Sequence, residues 1–215
     1  MRRLPVYILI DTSTSMRGEP ITAVEVGLKD LMDSLNKDPY TLETVCLSII
    51  TYNTQAEQVL PLTEVYKTRI PELTATGRSA LGKALELLSE RVEKEVCKNT
   101  IDAKGDWKPI LFILSDGGYS GPIAKPISEF KKLQFGFIVA CIAGSKSKID
   151  ILRKITENII QISSTDATDI KAYFKWISSS IGTTSNRIID TNESDFIIDA
   201  LPPLPKEIIL LHNEK

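Results

Sequence analysis

Histidine is nearly missing from this sequence, and the single one, His212, sits in the tail, where it reads as a solvated surface residue. Cysteine is scarce too. Cys46, Cys97 and Cys141 are odd in number and lack the spacing of a metal site. Cys46 and Cys141 fall in apolar runs, where a buried, inert thiol is expected, and a reducing, cytoplasmic setting follows. No apolar run approaches the ~20 residues that a membrane helix needs. The run after Arg2 and Arg3 is too short for a signal peptide and meets Asp11 at once, so no leader is expected. No basic stripe is present. Net charge is −2 with Lys and Glu interspersed, which argues against nucleic acid or an anionic membrane as a partner. What remains is ordinary for a globular chain: 215 residues, 42% hydrophobic and 25% charged, enough for one sizeable α/β domain with a real core.

The organising stretch runs from Pro5 to Met16. Val6-Tyr7-Ile8-Leu9-Ile10 is apolar and ends abruptly in Asp11-Thr12-Ser13-Thr14-Ser15. A short apolar run bounded by polar residues fits a strand buried on both faces. Its polar end then lies at the carboxyl edge of a sheet, where open α/β folds bind ligands. Asp-x-Ser-x-Ser offers oxygen only, one anion and two hydroxyls, a set that suits a hard divalent cation such as Mg²⁺.

Along the chain, Gly18-Glu19-Pro20 reads as a helix start. Val24, Leu28, Leu31 and Leu35 carry that helix to about Asn36, and Lys37-Asp38-Pro39 ends it. Leu42 to Tyr52 reads as a second strand and Ala56 to Leu60 as its antiparallel hairpin partner, since so short a link cannot join parallel strands. Residues 63–78 read as a loop, followed by a helix from Leu81 to about Val96. Ile110 to Leu114 is a fourth strand, and it too ends in an acid, Ser115-Asp116-Gly117-Gly118. A helix near Ala124 to Leu133, a strand from Gln134 to Ile142, a helix from Lys148 to Thr156, a short strand at Ile159 to Ile162 and a helix from Asp169 to Ile181 complete the pattern. Strands alternating with helices predict a doubly wound, mostly parallel six-stranded sheet with helices on both faces, strand three antiparallel at the edge. The domain is expected over 1–185. A tail over 186–215 holds Pro202, Pro203 and Pro205 between the apolar groups Phe196-Ile197-Ile198 and Ile208 to Leu211; it is expected to pack back on the domain, the alternative being a linear contact for a partner.

If the strands ending in Asp11 and Asp116 are neighbours, both carboxylates overhang one crevice, and a bound cation removes the cost of bringing them together. Thr76-Gly77-Arg78-Ser79, just ahead of a helix, adds a third hydroxyl. The expected site is one cation held by Ser13, Ser15 and Ser79, with Asp11 and Asp116 acting directly or through water, and one position open for a partner's oxygen. Arg78 either meets an acidic partner or points to solvent. Other readings compete. Asp11 and its serines could cap the next helix, and Ser79 could do the same for its own. Gly77 to Lys83 matches G-x-x-x-x-G-K and, with Asp116, suggests a nucleotide-binding P-loop; yet Ala84 stands where the metal-binding hydroxyl belongs. A dehalogenase-type phosphatase needs a second acid where Ser13 sits, and a dinucleotide-binding fold needs a G-x-G-x-x-G turn that is missing.

Asp11-Thr-Ser-Thr-Ser, the later Ser79 and Ser-Asp116-Gly resemble the metal-ion-dependent adhesion site of a von Willebrand factor A domain, over about residues 4–182. Arg2-Arg3-Leu4-Pro5-Val6-Tyr7, Gly18-Glu19-Pro20-Ile21 and Phe174-Lys175-Trp176-Ile177-Ser178 are similar, more narrowly, to the bacterial TerY-type proteins of tellurite-resistance loci. The resemblance implies strand order 3-2-1-4-5-6. It implies direct ligation by Ser13 and Ser15, and Asp11 and Asp116 acting largely through water. Ser79 departs from the family's usual threonine, and Arg78 from its second glycine. The implied function is a non-enzymatic, cytoplasmic binding module that uses Mg²⁺, or Mn²⁺ or Ca²⁺, in tellurite or chemical-stress resistance. A kinase and a PP2C-like phosphatase are the implied partners, with Arg78 and Gly117 as the expected contacts.

Overall fold

The computed structural model describes residues 2–144, 149–191 and 201–211. Its first strand, β1 (Leu4–Asp11), is buried along its whole length. Alternate side chains enter two separate cores: Val6, Ile8 and Ile10 enter one, Tyr7 and Leu9 the other. This two-sided burial is why the sequence here is continuously apolar. The other strands are β2 (Val45–Tyr52), β3 (Ala56–Glu64), β4 (Ile110–Ser115), β5 (Phe137–Ala143), β6 (Ile159–Ile162) and β7 (Ile208–Leu210). They form one sheet in the order β3-β2-β1-β4-β5-β6-β7. Strands β2, β1, β4, β5 and β6 run parallel; β3 and β7 are antiparallel edges. Pro61 lies in β3, where an edge tolerates its missing N–H.

Helices α1 (Glu19–Leu35) and α6 (Ala167–Thr191) cover the face fed by Val6, Ile8 and Phe112. Helices α3 (Leu81–Glu95), α4 (Ala124–Phe130) and α5 (Ile149–Arg153) cover the other. The helical spacings are realised: Val24, Leu28, Leu31 and Leu35 are buried on α1, and Leu81, Leu85, Leu88 and Val92 on α3. Among the described residues no helix is long and apolar enough to cross a membrane.

Four local features differ from expectation. Asp38-Pro39 does not simply end α1. It opens a short helix, α2 (Pro39–Thr44), in which Asp38 Oδ1 accepts the Tyr40 N–H at 2.9 Å and Pro39 occupies the first turn, so β2 begins at Val45 and not Leu42. Strand β3 continues to Glu64. Helix α6 passes through position 185 to Thr191. The sheet has seven strands and not six: Ile208, Ile209 and Leu210 pair with Ile162, Gln161 and Ile160. Trp176 Nε1 donates to the Pro202 carbonyl at 3.0 Å, and the Leu211 N–H to the Ile159 carbonyl at 2.8 Å. Phe196-Ile197-Ile198, Lys148 and His212 lie outside the described residues. The stabilising role of β7 has a direct check. Ile208 is 5% exposed, so Ile208→Ala should cost about 2 kcal/mol, the low end for an aliphatic truncation, and lower the melting temperature by roughly 4–8 °C in calorimetry. An unchanged melting temperature would mean that β7 adds nothing in solution.

Candidate metal centre

Strands β1 and β4 are neighbours, with Ile10 opposite Leu114, so their carboxyl ends open side by side at the point where the strand order reverses. Asp11 ends β1 in register with Tyr7 and Leu9, the residues that face α3. The loop that leads into α3 carries Ser79 to it: Ser79 Oγ donates to Asp11 Oδ2 at 2.7 Å. The other carboxylate oxygen, Oδ1, accepts the Ser13 N–H at 2.8 Å. Ser13 and Ser15 hydroxyls stand 2.9 Å apart, and Ser15 donates a short hydrogen bond to Asp116 Oδ2. Because Ser15 spends its proton on Asp116, Ser13 is the donor between the two serines. Each hydroxyl therefore keeps lone-pair capacity for a cation, the Ser13 proton serving Ser15 and the Ser15 proton serving Asp116.

Three loops are bound together around these groups. The Gly77 carbonyl accepts both the Thr14 N–H at 3.0 Å and Thr14 Oγ1 at 2.9 Å, and the Thr76 N–H donates to the Thr12 carbonyl at 2.9 Å. Gly77 has φ +70°, and a Cβ there would strike Thr54 Oγ1, so only glycine turns the chain here without strain. The Ser79 carbonyl accepts the Ser120 N–H at 2.6 Å, which ties the loop to the one after β4. The Gly118 N–H caps Asp116 Oδ1 at 2.8 Å.

All five residues predicted as ligands, Asp11, Ser13, Ser15, Ser79 and Asp116, are thus joined in one hydrogen-bonded cluster. They border an open recess of about 270 Å³ whose walls include Thr14, Arg78, Gly118, Tyr119 and Ser120. Asp11 itself is fully buried beneath it. Arg78 is exposed on the wall. Gly117, expected as a partner contact, is buried and absent from the wall; its N–H donates to Ser115 Oγ at 3.1 Å inside the turn, and Gly118 lines the recess in its place. Thr14 and Ser120 escaped the sequence reading. The hydroxyl run signalled Thr14; nothing local signalled Ser120.

The Gly77 to Lys83 segment serves another purpose. Residues 68–80 contain no strand, Gly82 and Lys83 lie in the first turn of α3, and Gly82 is buried against the Pro122 carbonyl. A phosphate cradle needs a strand entering a glycine loop with free N–H groups, so the nucleotide-binding alternative is not favoured.

Burial pushes the Asp11 carboxyl up to about 6, with Asp116 adding to the effect and the Ser13 and Ser79 hydrogen bonds opposing it. A raised acid favours the protonated folded state. Its stabilising contribution is complete below the ordinary value of 3.8 and is lost as pH rises through about 6. In chelator, stability should therefore fall over that window, by up to about 3 kcal/mol from this group. Urea midpoints of wild type and Asp11→Asn isolate the effect: their difference should open over the same window, and a difference independent of pH would exclude it.

The donor set fits a hard cation on its own chemistry: two carboxylates and three hydroxyls, all oxygen, with carboxylates already oriented. Among the described residues no group of three or more His, Cys, Asp or Glu side chains could hold a metal, so this set depends on its hydroxyls as well as its two acids.

Comparison with known proteins agrees with this fold. The von Willebrand factor type A domain family matches residues 6–175. Among curated proteins none matches the chain. Among solved structures, a von Willebrand factor type A protein from Catenulispora acidiphila superposes with a TM-score of 0.66 at 19% identity, covering 85% of this chain and 43% of that one. Proximal thread matrix protein 1 from the mussel byssus, with a zinc-occupied metal-ion-dependent adhesion motif, gives 0.57 at 14% identity, covering 83% and 48%. The pilus adhesin SpaC of Lactobacillus rhamnosus GG gives 0.64 at 14% identity, covering 86% and 30%. This chain spans less than half the length of each of these three, and at such identities the likeness is one of fold.

Proposed function

The chain belongs to the von Willebrand factor type A family, and from that premise we propose that it is a divalent-cation-dependent protein-binding module and not an enzyme. The observation that carries this reading is the convergence of Ser13, Ser15 and Ser79 hydroxyls with Asp11 and Asp116 at the adjoining ends of β1 and β4. Bound there, a cation would offer a positive centre to an oxygen of a partner's Asp or Glu. The zinc-occupied motif of the mussel protein, which shares this fold, supports a metal-binding role. For this chain an all-oxygen set points to Mg²⁺, with Mn²⁺ or Ca²⁺ as substitutes.

Each residue has a part. Ser13, Ser15 and Ser79 hold the ion through hydroxyl oxygens. Asp11 accepts the Ser79 proton and the Ser13 N–H, Asp116 accepts the Ser15 proton, and the two acids bring the negative charge. Thr14 and Ser120 lock the loops that carry them. The partner's acid supplies the charge that the neutral hydroxyls do not.

The similarity of Arg2 to Tyr7, Gly18 to Ile21 and Phe174 to Ser178 to TerY-type proteins supports a role in tellurite or chemical-stress resistance in the cytoplasm. On that reading a kinase and a PP2C-like phosphatase are the candidate partners. The test is capture on immobilised protein. Partners should be retained in Mg²⁺, released by chelator and absent with Ser13→Ala. Equal retention in excess chelator would contradict the proposal.

A further inference from the structure

Two cations lack a counter-ion among the described residues: Arg78, which lines the recess, and Lys83, which is tied to the neighbouring Thr54. The backbone of Arg78 is clamped, its N–H on Thr54 Oγ1 at 3.1 Å, Gly77 before it bonded to Thr14, and Ser79 after it bonded to Asp11 and Gly118. Its guanidinium is exposed and, among the described residues, has no hydrogen-bond or ion-pair partner. Lys83, in the first turn of α3, reaches the same residue: Nζ donates to the Thr54 carbonyl at 2.9 Å and to Gln55 Oε1 at 2.8 Å. Both acceptors are neutral, so its charge also stands uncompensated. The chain's own carboxylates do not answer these cations. Asp11 is buried, with its oxygens taken by the Ser13 N–H and Ser79, and Asp116 is taken by Ser15 and the Gly118 N–H. A protein of net charge −2 therefore anchors two cationic residues on Thr54, Arg78 by its backbone N–H and Lys83 by its Nζ, beside a site whose proposed ligand is a carboxylate.

We infer that Arg78 and Lys83 read a second carboxylate of the partner, placed beside the one that meets the cation, so that the docking segment is an acidic stretch of protein carrying at least two acids. This rests on the cation-bridged reading above. Arg78 suits the role because its planar fork can take a carboxylate in a bidentate grip, and Lys83 adds a point charge held toward the same corner. A rim charge of this kind sets specificity and encounter rate, and its contribution shrinks with salt.

The experiment uses the full chain with Mg²⁺ or Mn²⁺ and small probes: butyrate as a single carboxylate, and succinate, glutarate and longer dicarboxylates as paired ones. The dicarboxylate of best length should bind roughly fivefold more tightly than butyrate, the scale of an exposed charge pair. That gain should vanish in a variant carrying both Arg78→Gln and Lys83→Gln, and at high salt. The cation alone should bind this variant at least as tightly as wild type, because two repelling charges are gone; a merely structural role would weaken it. The inference fails if the gain survives in the variant. It also fails if cation binding falls in the variant, or if no dicarboxylate exceeds butyrate while butyrate binding still needs the cation. This last result leaves the cation-bridged reading standing. Absence of cation-dependent binding by every carboxylate would overturn both. Inorganic phosphate binding more tightly than every dicarboxylate would replace the acidic segment with a phosphate-bearing partner.

Discussion

Asp11→Asn should abolish the response of this protein to divalent cations without weakening the fold. At a cation concentration about a hundred times the dissociation constant, wild type should gain about 2.7 kcal/mol. For a chain of this size that corresponds to a rise of roughly 5–10 °C in melting temperature. The variant should show no rise. Asparagine keeps an oxygen for the Ser13 N–H, and Ser79 can turn its proton to the Gly118 carbonyl, already 2.8 Å away, so the loops stay tied. In chelator at neutral pH the variant should melt at or above the wild-type temperature. It removes a buried carboxylate whose ionisation the fold disfavours, as its rise to about 6 records. Differential scanning calorimetry with and without Mg²⁺ reads both outcomes. A variant that melts well below wild type in chelator would make Asp11 a structural anchor. One that still responds to the cation would remove it from the site.

The second large effect lies far from the recess. Phe174 on α6 is fully buried and packs against Gly27 on α1 so closely that a Cβ at position 27 would overlap its ring. Its ring meets that of Tyr173 edge-on, with centroids 5.4 Å apart. Truncation leaves a void between two long helices that cannot collapse onto each other without moving the sheet. Phe174→Ala should cost about 3–5 kcal/mol, or roughly 6–20 °C in melting temperature. Gly27→Ala alone should also destabilise, by roughly 1–3 kcal/mol through overpacking, but in the Phe174→Ala background its methyl group enters the space left by the ring. The double variant should then be more stable than the sum of the two costs predicts. Strict additivity in urea denaturation would mean that the helices do not meet at this pair.

The site was legible because its chemistry is concentrated at strand ends. Val6 to Ile10 and Ile110 to Leu114 are apolar on both faces, and an acid immediately after each marks the edge where the burial stops. The order that makes those ends neighbours came from resemblance and not from the residues, since periodicity carries no information about which strands pair. What escaped has physical reasons. Helix α2 is only six residues long and its Asp38-Pro39 start reads equally as the end of α1. Strand β7 has three residues with only Ile208 buried, so it shows neither alternation nor a long apolar run. Lys83 matched a nucleotide motif by spacing, but the leucines at 81, 85 and 88 set a helical frame that placed it on an exposed turn beside Thr54. Gly118 and Ser120 reach the recess through the path of a loop, which no local pattern encodes.

The central claim is that five oxygen-bearing side chains from three loops make one cation site. Isothermal titration of Mg²⁺, and of Mn²⁺ as a substitute, into wild type and Asp116→Ala tests it most directly. Wild type should give one saturable site, and the variant, which loses one of two carboxylates and the acceptor for the Ser15 proton, should bind at least about tenfold more weakly, a loss of about 1.4 kcal/mol. No saturable binding by wild type, or equal affinity in the variant, would contradict the account.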